Sequence, residues 1–294
     1  MKKALKIAGW ALLAIILLAL LTVLGIRFVF RQQAIEYLNG KQHEQYVGLL
    51  RTASPYAADT AAFRFAYIPD TARSREIRNY FRLDTLLDNT ADTWTNTVSL
   101  ATFVAGNIPH ANQTVQPERR NAIALWEYHL YTEPAFNCRL HAIMLHELLL
   151  ASGITNRFVT CLPADPEDRD CHVVNTVWLP EIQKWAMIDS DGCSFVTDPE
   201  GTPLSLGEMR DRTVKGLPME VHHLERGTPY DNYLTYWAKN LYWFICWEET
   251  GYDKEPADEG YDIALVPPDM TPFKISATTI VTTDDARFWA APEE

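Results

Sequence analysis

Cys138, His172 and Asp189 are the residues whose types and order could carry covalent catalysis in this chain. A thiol is an effective nucleophile only as thiolate, a state favoured by a helix N-terminus and by a neighbouring imidazolium. In "FNCRLHAIMLHELLLASGITNRFV" (136–159), Asn137 is a good N-cap type and puts Cys138 at the first helical position. His172 opens the apolar run "CHVVNTVWLP", and Asp189 lies in the next such run, "KWAMIDSD". Nucleophile, base and orienting carboxylate together perform acyl transfer on several unrelated folds. The backbone N–H of Cys138 would supply part of an oxyanion hole, with Trp94, Trp126 and Asn137 as candidates for the second donor.

The triad commits to a strand register. In an antiparallel hairpin, opposed residues share a face, as do residues two apart on one strand. If "PEIQK" pairs residues whose numbers sum to 363, Asp189 stands opposite Val174 and shares a face with His172; an even sum turns Asp189 and Asp191 away. His141, one helical turn from Cys138, is the weaker base because it lies along the nucleophile's own helix.

Each residue also has a plain structural reading. Cys138 could be an inert core thiol, His172 an ordinary strand residue, and Asp189 the start of the turn "DSDG". The chain has five cysteines, so an oxidising compartment leaves at least one unpaired. Cys161 and Cys171 bracket the loop "LPADPEDRD", which makes a disulfide between them geometrically feasible. A metal site of Cys161, Cys171, His172 and Cys193 lacks the close C-x-x-C spacing of zinc modules and is not expected.

The elements that must position these residues read as helices followed by a sheet. "RSREIRNYFRLDTLL" and "ADTWTNTVSLATFVAGNIPH" are helical, the latter with Val98, Leu100, Phe103 and Val104 at helical spacing. The cysteine helix is bounded by Pro134 and Gly153, and is apolar around most of its circumference at Leu140, Ile143, Met144, Leu145, Leu148 and Leu149. It belongs at the centre of the fold. "NRFVTCL", "CHVVNTVWL" and "KWAMID" are successive antiparallel strands, and the fold class is α+β. Further on, "YLTYWAKNLYWFICWEE" reads as a buried helix or strand pair, and "YDIALVPPD" and "ATTIVTT" as strands. Trp237, Trp243 and Trp247 could stack on carbohydrate, but such aromatic runs more often fill a core.

The first residues stand apart from this core. "AGWALLAIILLALLTVLGI" (8–26) carries no charge and is long enough to cross a bilayer as a helix. It has no small-x-small cleavage site, and Lys2, Lys3 and Lys6 precede it, so it reads as a retained signal anchor with a cytoplasmic N-terminus. From Arg27 onward the chain holds 23 basic and 38 acidic side chains, a net charge of −15, which repels phosphate backbones and makes nucleic acid an unsuitable partner. The expected organisation is a cytoplasmic N-terminus (1–6), a transmembrane anchor (7–26), a juxtamembrane stalk (27–60), a catalytic-type domain (61–215) and a C-terminal extension of unassigned role (216–294), with the bulk outside the cytoplasm, periplasmic or at the cell surface.

The order and spacing of these segments resemble the bacterial transglutaminase-like, papain-like superfamily over about residues 63–212. The cysteine helix with its G-I-x-x-R exit (Gly153 to Arg157) is similar to the family's Cys helix. "DCHVVNTVWLPEIQKWAMID" resembles its His and Asp strands, down to Trp178 and Trp185. The resemblance implies a papain-like core with a central Cys helix on an antiparallel sheet, a Cys138, His172, Asp189 triad, no metal or cofactor, and a thioester formed on a protein or peptide amide. The acyl group would pass to an amine or to water. Phe136 and Asn137 depart from the small residues that commonly precede the family's cysteine. Because members include inactive relatives, the alternative is a non-catalytic ectodomain that binds or scaffolds.

Overall fold

The computed structural model describes residues 2–112, 117–255, 262–273 and 275–293. It divides into two compact units, residues 1–45 and 46–294. The first is helical: α1 runs Lys2–Thr52, and from Gly9 onward it is long and apolar enough to cross a membrane. The last turns of α1 belong to the second unit, where Val47 and Leu50 are buried and Arg51 Nε donates to the Val214 carbonyl at 2.8 Å. The helix therefore ends not in a free stalk but as part of the packed unit, stopping just before "SPY".

In the second unit β1 (Ala66–Tyr67) leads into α2 (Thr71–Phe81), α3 (Thr93–Asn107), α4 (Ala122–Tyr131) and α5 (Cys138–Ala151). Then come β2 (Asn156–Leu162), β3 (His172–Leu179), β4 (Lys184–Ile188) and β5 (Ser194–Thr197), α6 (Leu206–Lys215) and β6 (Glu220–His223). The chain closes with α7 (Tyr233–Asn240), β7 (Trp243–Cys246), β8 (Glu249–Thr250), β9 (Ile263–Leu265), β10 (Ile280–Thr282) and α8 (Asp285–Phe288). Asp70, Asp92, Asn121, Asn137 and Ser205 cap the starts of α2 to α6 with side-chain oxygens. The sequence reading leaves α4 unassigned; Asn121 and the apolar run after it are its only marks.

The main sheet has the order β10-β9-β7-β2-β3-β4, antiparallel except for the parallel edge pair β9 and β10. Every residue of β2 is buried because both faces are covered. On one face, Phe158, Val173, Val177 and Ile188 pack beneath α5, whose outer side is wrapped by α2, α3 and α4. On the other, Val159, Val174, Met187 and Phe244 pack against residues of α6, α7 and α8. The central Cys helix on a sheet is thus the observed α+β architecture.

The segment 216–294, which its sequence leaves without a role, supplies α7 and three of the six strands. "YLTYWAKNLYWFICWEE" is one helix followed by strands, and the expected strands near 263 and 280 form, with Tyr261 outside the described residues. Trp237, Trp243 and Trp247 are all buried, so these rings are core and cannot stack on a glycan. Trp243 is fully enclosed and its Nε1 donates to the Pro163 carbonyl at 3.0 Å. Trp243→Ala in the full chain in detergent is expected to lose about 3–5 kcal/mol in urea unfolding; a change within error would remove β7 from the core.

Candidate active site

Asn137 caps α5 by accepting from Leu140 N–H at 3.1 Å, which puts Cys138 at the helix start as its sequence predicts. The preceding Phe136 is fully buried, packing on Tyr128, His129 and His141, so its bulk fills core and not the groove. Its backbone forms a parallel bridge with the 109–111 segment: Phe136 N–H donates to Pro109 O at 2.9 Å, and Ala111 N–H to Phe136 O at 2.7 Å. That bridge carries His110 to the cysteine's side.

The hairpin takes the register on which the triad depends. Asn175 pairs with Ile188 and Val177 with Ala186, so the numbers sum to 363 and Asp189 continues on the face of His172. His172 Nε2–H donates to Asp189 Oδ2 at 2.7 Å. The same carboxylate accepts from Tyr233 OH at 2.9 Å and from Gly192 N–H at 2.7 Å, and it is fully buried. His172 Nδ1 is buried without a hydrogen bond. Donor atoms of Cys138, His172 and Asp191 all lie within 4.8 Å of one another, and Cys138 is half-buried. Burial disfavours the His172 imidazolium, but the Asp189 charge and hydrogen bond, with Cys138 beside them, outweigh it and raise its pKa well above the ordinary histidine value.

Three further residues join the site that the sequence reading did not choose. Asp191, two residues past Asp189 and also buried, has His110 Nδ1 at 2.9 Å from Oδ1 and 3.1 Å from Oδ2. Tyr230 OH donates to Asp191 Oδ2. Burial would raise the Asp191 pKa, but the His110 hydrogen bond and the charges of His141, His172 and His110 hold it below the ordinary carboxylate value. The Asp191 bond in turn raises His110 against its partial burial. His141, the weaker candidate base, is buried with Nε2 3.5 Å from Asp191 Oδ1, and burial pushes its pKa down. It sits beneath the second carboxylate. Tyr230, Tyr236 and Trp237 cover the His172 ring at centroid distances of 5.7, 5.1 and 5.3 Å. Spacing gives no sign of His110, which reaches the site through the Phe136 bridge, or of Tyr230; Tyr236 and Trp237 read from sequence only as part of an aromatic run.

Of the candidate oxyanion donors, Asn137 lines the cleft with Cys138, whereas Trp94 packs edge-on to Phe195 and Trp126 stacks on Phe103. The cleft, about 440 Å³, is walled by His110, Arg169, Cys171, Tyr230 and Tyr236 around the thiol. No disulfide joins the five cysteines: Cys161 is buried opposite His172, not Cys171, so the bracketing pair is not bonded.

Residues 83–190 match the family model of the transglutaminase-like superfamily. The chain carries a transglutaminase-like domain. The match spans α3 through the end of β4 and includes Cys138, His172 and Asp189. Among solved structures, the chain is similar to a candidate cysteine protease from Cytophaga hutchinsonii, with 14% identity and a TM-score of 0.33, over 56% of this chain and 58% of that one. No curated protein matches. Of the matched residues, Cys138 lines the cleft, while His172 and Asp189 lie buried behind it.

The packing around the carboxylates has two testable outcomes. A Cβ on Gly192 would lie 2.4 Å from Asp189 Oδ2 and 3.0 Å from the Tyr233 ring. Gly192→Ala is therefore expected to lose about 1–3 kcal/mol in urea unfolding through overpacking, and to slow alkylation of Cys138 by displacing the partner of His172. The His110 and Asp191 pair gives stability with a definite pH dependence. The raised His110 contributes fully below its unfolded value of about 6.5 and loses this as pH rises through its folded value; the lowered Asp191 contributes above about 4 and loses it as pH falls. The stability difference between the parent and His110→Gln should thus shrink as pH rises above about 6.5. Urea midpoints at a series of pH values check this, and a difference that grows with pH would contradict the pairing.

Proposed function

We propose that this chain is a membrane-anchored thiol enzyme acting on protein or peptide amides outside the cytoplasm, with Cys138 as nucleophile, His172 as acid and base, and Asp189 as the carboxylate that orients it. The observation that carries the reading is the buried His172 ring, tied at Nε2 to Asp189 and unbonded at Nδ1, beside a half-buried cysteine at the start of a helix. The apolar helix at the N-terminus supports the anchor, and the acidic balance of the rest, net −15, favours neutral or cationic substrates over anionic ones.

In the reaction proposed, the Cys138 proton moves to His172 Nδ1 and the thiolate attacks the amide carbonyl carbon, placing negative charge on oxygen near the Cys138 N–H. The imidazolium returns the proton to the leaving nitrogen, the C–N bond breaks, and a thioester remains. Water or an amine then loses a proton to His172 while attacking the thioester carbon, and the thiol is regenerated. Asp189 holds the ring in the tautomer that leaves Nδ1 facing sulfur. Tyr233 and Gly192 hold Asp189 in turn. The aromatic cover of Tyr230, Tyr236 and Trp237 keeps water from the back of the imidazole.

The test is the pH dependence of iodoacetamide alkylation at Cys138, read by peptide mapping, in the full chain and in His172→Ala. Alkylation with an apparent pKa well below the free thiol value of about 8.5, and at least about tenfold faster near neutral pH than in the variant, is the expected result. Slow, identical alkylation in both proteins would refute the catalytic pair and leave a binding or scaffolding ectodomain.

A further inference from the structure

A cysteine and histidine pair needs one orienting carboxylate, and Asp189 already fills that place through Nε2 of His172. Asp191 is an additional buried charge. Its carboxylate stands within 4.8 Å of both the Cys138 sulfur and the His172 ring, where a negative charge repels the thiolate that catalysis requires. The acyl-transfer reading gives Asp191 no task, but its chemistry beside a thiol and an imidazole has a clear use.

Thiolate, neutral imidazole and carboxylate form the donor set of a zinc-class cation, with bond lengths of about 2.0–2.3 Å. An ion centred among three donors no more than 4.8 Å apart lies within about 2.8 Å of each, so a side-chain adjustment of under about 1 Å completes the bonds. Two independent features prepare the site. His172 Nδ1 is fully buried with no hydrogen-bond partner, while Asp189 holds the proton on Nε2, the outer-shell arrangement that aims Nδ1 at a metal once the Nδ1 proton has left. Asp191 has lone-pair capacity beyond the bonds it accepts from His110 and Tyr230, because two carboxylate oxygens offer about four acceptor positions. Cys138 lines the solvent cleft, so an ion would enter from the sulfur's side.

We infer that Cys138 Sγ, His172 Nδ1 and Asp191 form a site for a zinc-class divalent cation, and that the bound ion masks the nucleophile. The masking half of this rests on the thiol-enzyme reading above. On binding, the protons held on Cys138 Sγ and His172 Nδ1 go to solvent, and the sulfur and nitrogen lone pairs form the bonds to the metal; no oxidant or reductant takes part. Removal of the ion restores the thiol and imidazole pair.

Cobalt(II) and zinc(II), added to the chelator-treated full chain in detergent, test the site. Cobalt should produce a thiolate-to-metal charge-transfer band that zinc abolishes by displacement and that Cys138→Ser lacks. Asp191→Asn should weaken zinc binding by at least about tenfold, as even outer-shell changes do, and zinc should block alkylation of Cys138 until a chelator is added. Because Asp191 is buried, its variant is accepted only if its circular dichroism matches the parent; Cys138→Ser decides the question without it. A band that persists in Cys138→Ser overturns the ligand assignment. Fast, His172-dependent alkylation that excess zinc leaves unchanged, with no cobalt band, overturns the metal site while the enzyme reading stands. A cobalt band together with slow, His172-independent alkylation of the metal-free chain keeps the metal site and overturns the enzyme reading.

Discussion

A carboxylate removed from water needs its charge answered in full, and the surroundings of Asp189 are arranged by that requirement. Its two oxygens receive an imidazole N–H, a phenol O–H and a backbone N–H, each from a different part of the chain. An ionised carboxylate with three donors is tolerated in the interior, whereas the loss of any one leaves buried charge under-compensated at a cost of several kcal/mol. The β3 and β4 register, the tight approach of Gly192 and the docking of α7 all converge on that one group.

The role of the C-terminal segment derives from the same requirement. Strand β7 pairs with β2, and α7 crosses the sheet face that bears His172. Tyr233 reaches Asp189, while Tyr236 and Trp237 wall the imidazole. Excluding water strengthens the bond between His172 and Asp189 and offsets the desolvation that would otherwise strip the ring of its proton. The site is therefore built by both halves of the compact unit, although the family match ends at residue 190.

Two carboxylates two residues apart, each with its own histidine, divide the site into unequal parts. Asp189 and His172 are fully buried beneath α7; Asp191 is also buried, but its partners His110 and Tyr230 line the solvent cleft. The backbone bridge between Phe136 and the 109–111 segment is what joins the second pair to the first. Charge is balanced locally in each pair, which lets acidic groups crowd a site that must also hold a nucleophilic sulfur.

The sequence by itself determined the local features. Asn137 and Gly153 bound the cysteine helix because capping depends on neighbouring backbone groups, and the β-branched and aromatic runs mark the strands because pleated, two-sided burial selects them. The spacing of His172 and Asp189 around a short turn allowed two registers, and the folded hairpin takes the one in which they meet. Tertiary structure alone decided the rest. His110, Asp191 and Tyr230 come together through contacts between segments 39 to 120 residues apart, for which no periodicity in the chain is a sign. The aromatic run of α7 carries the same hydrophobic signal whether it fills a core or roofs an imidazole. Only the docking of α7 on the sheet separates those two uses, since packing, unlike capping or strand propensity, depends on residues distant in the chain.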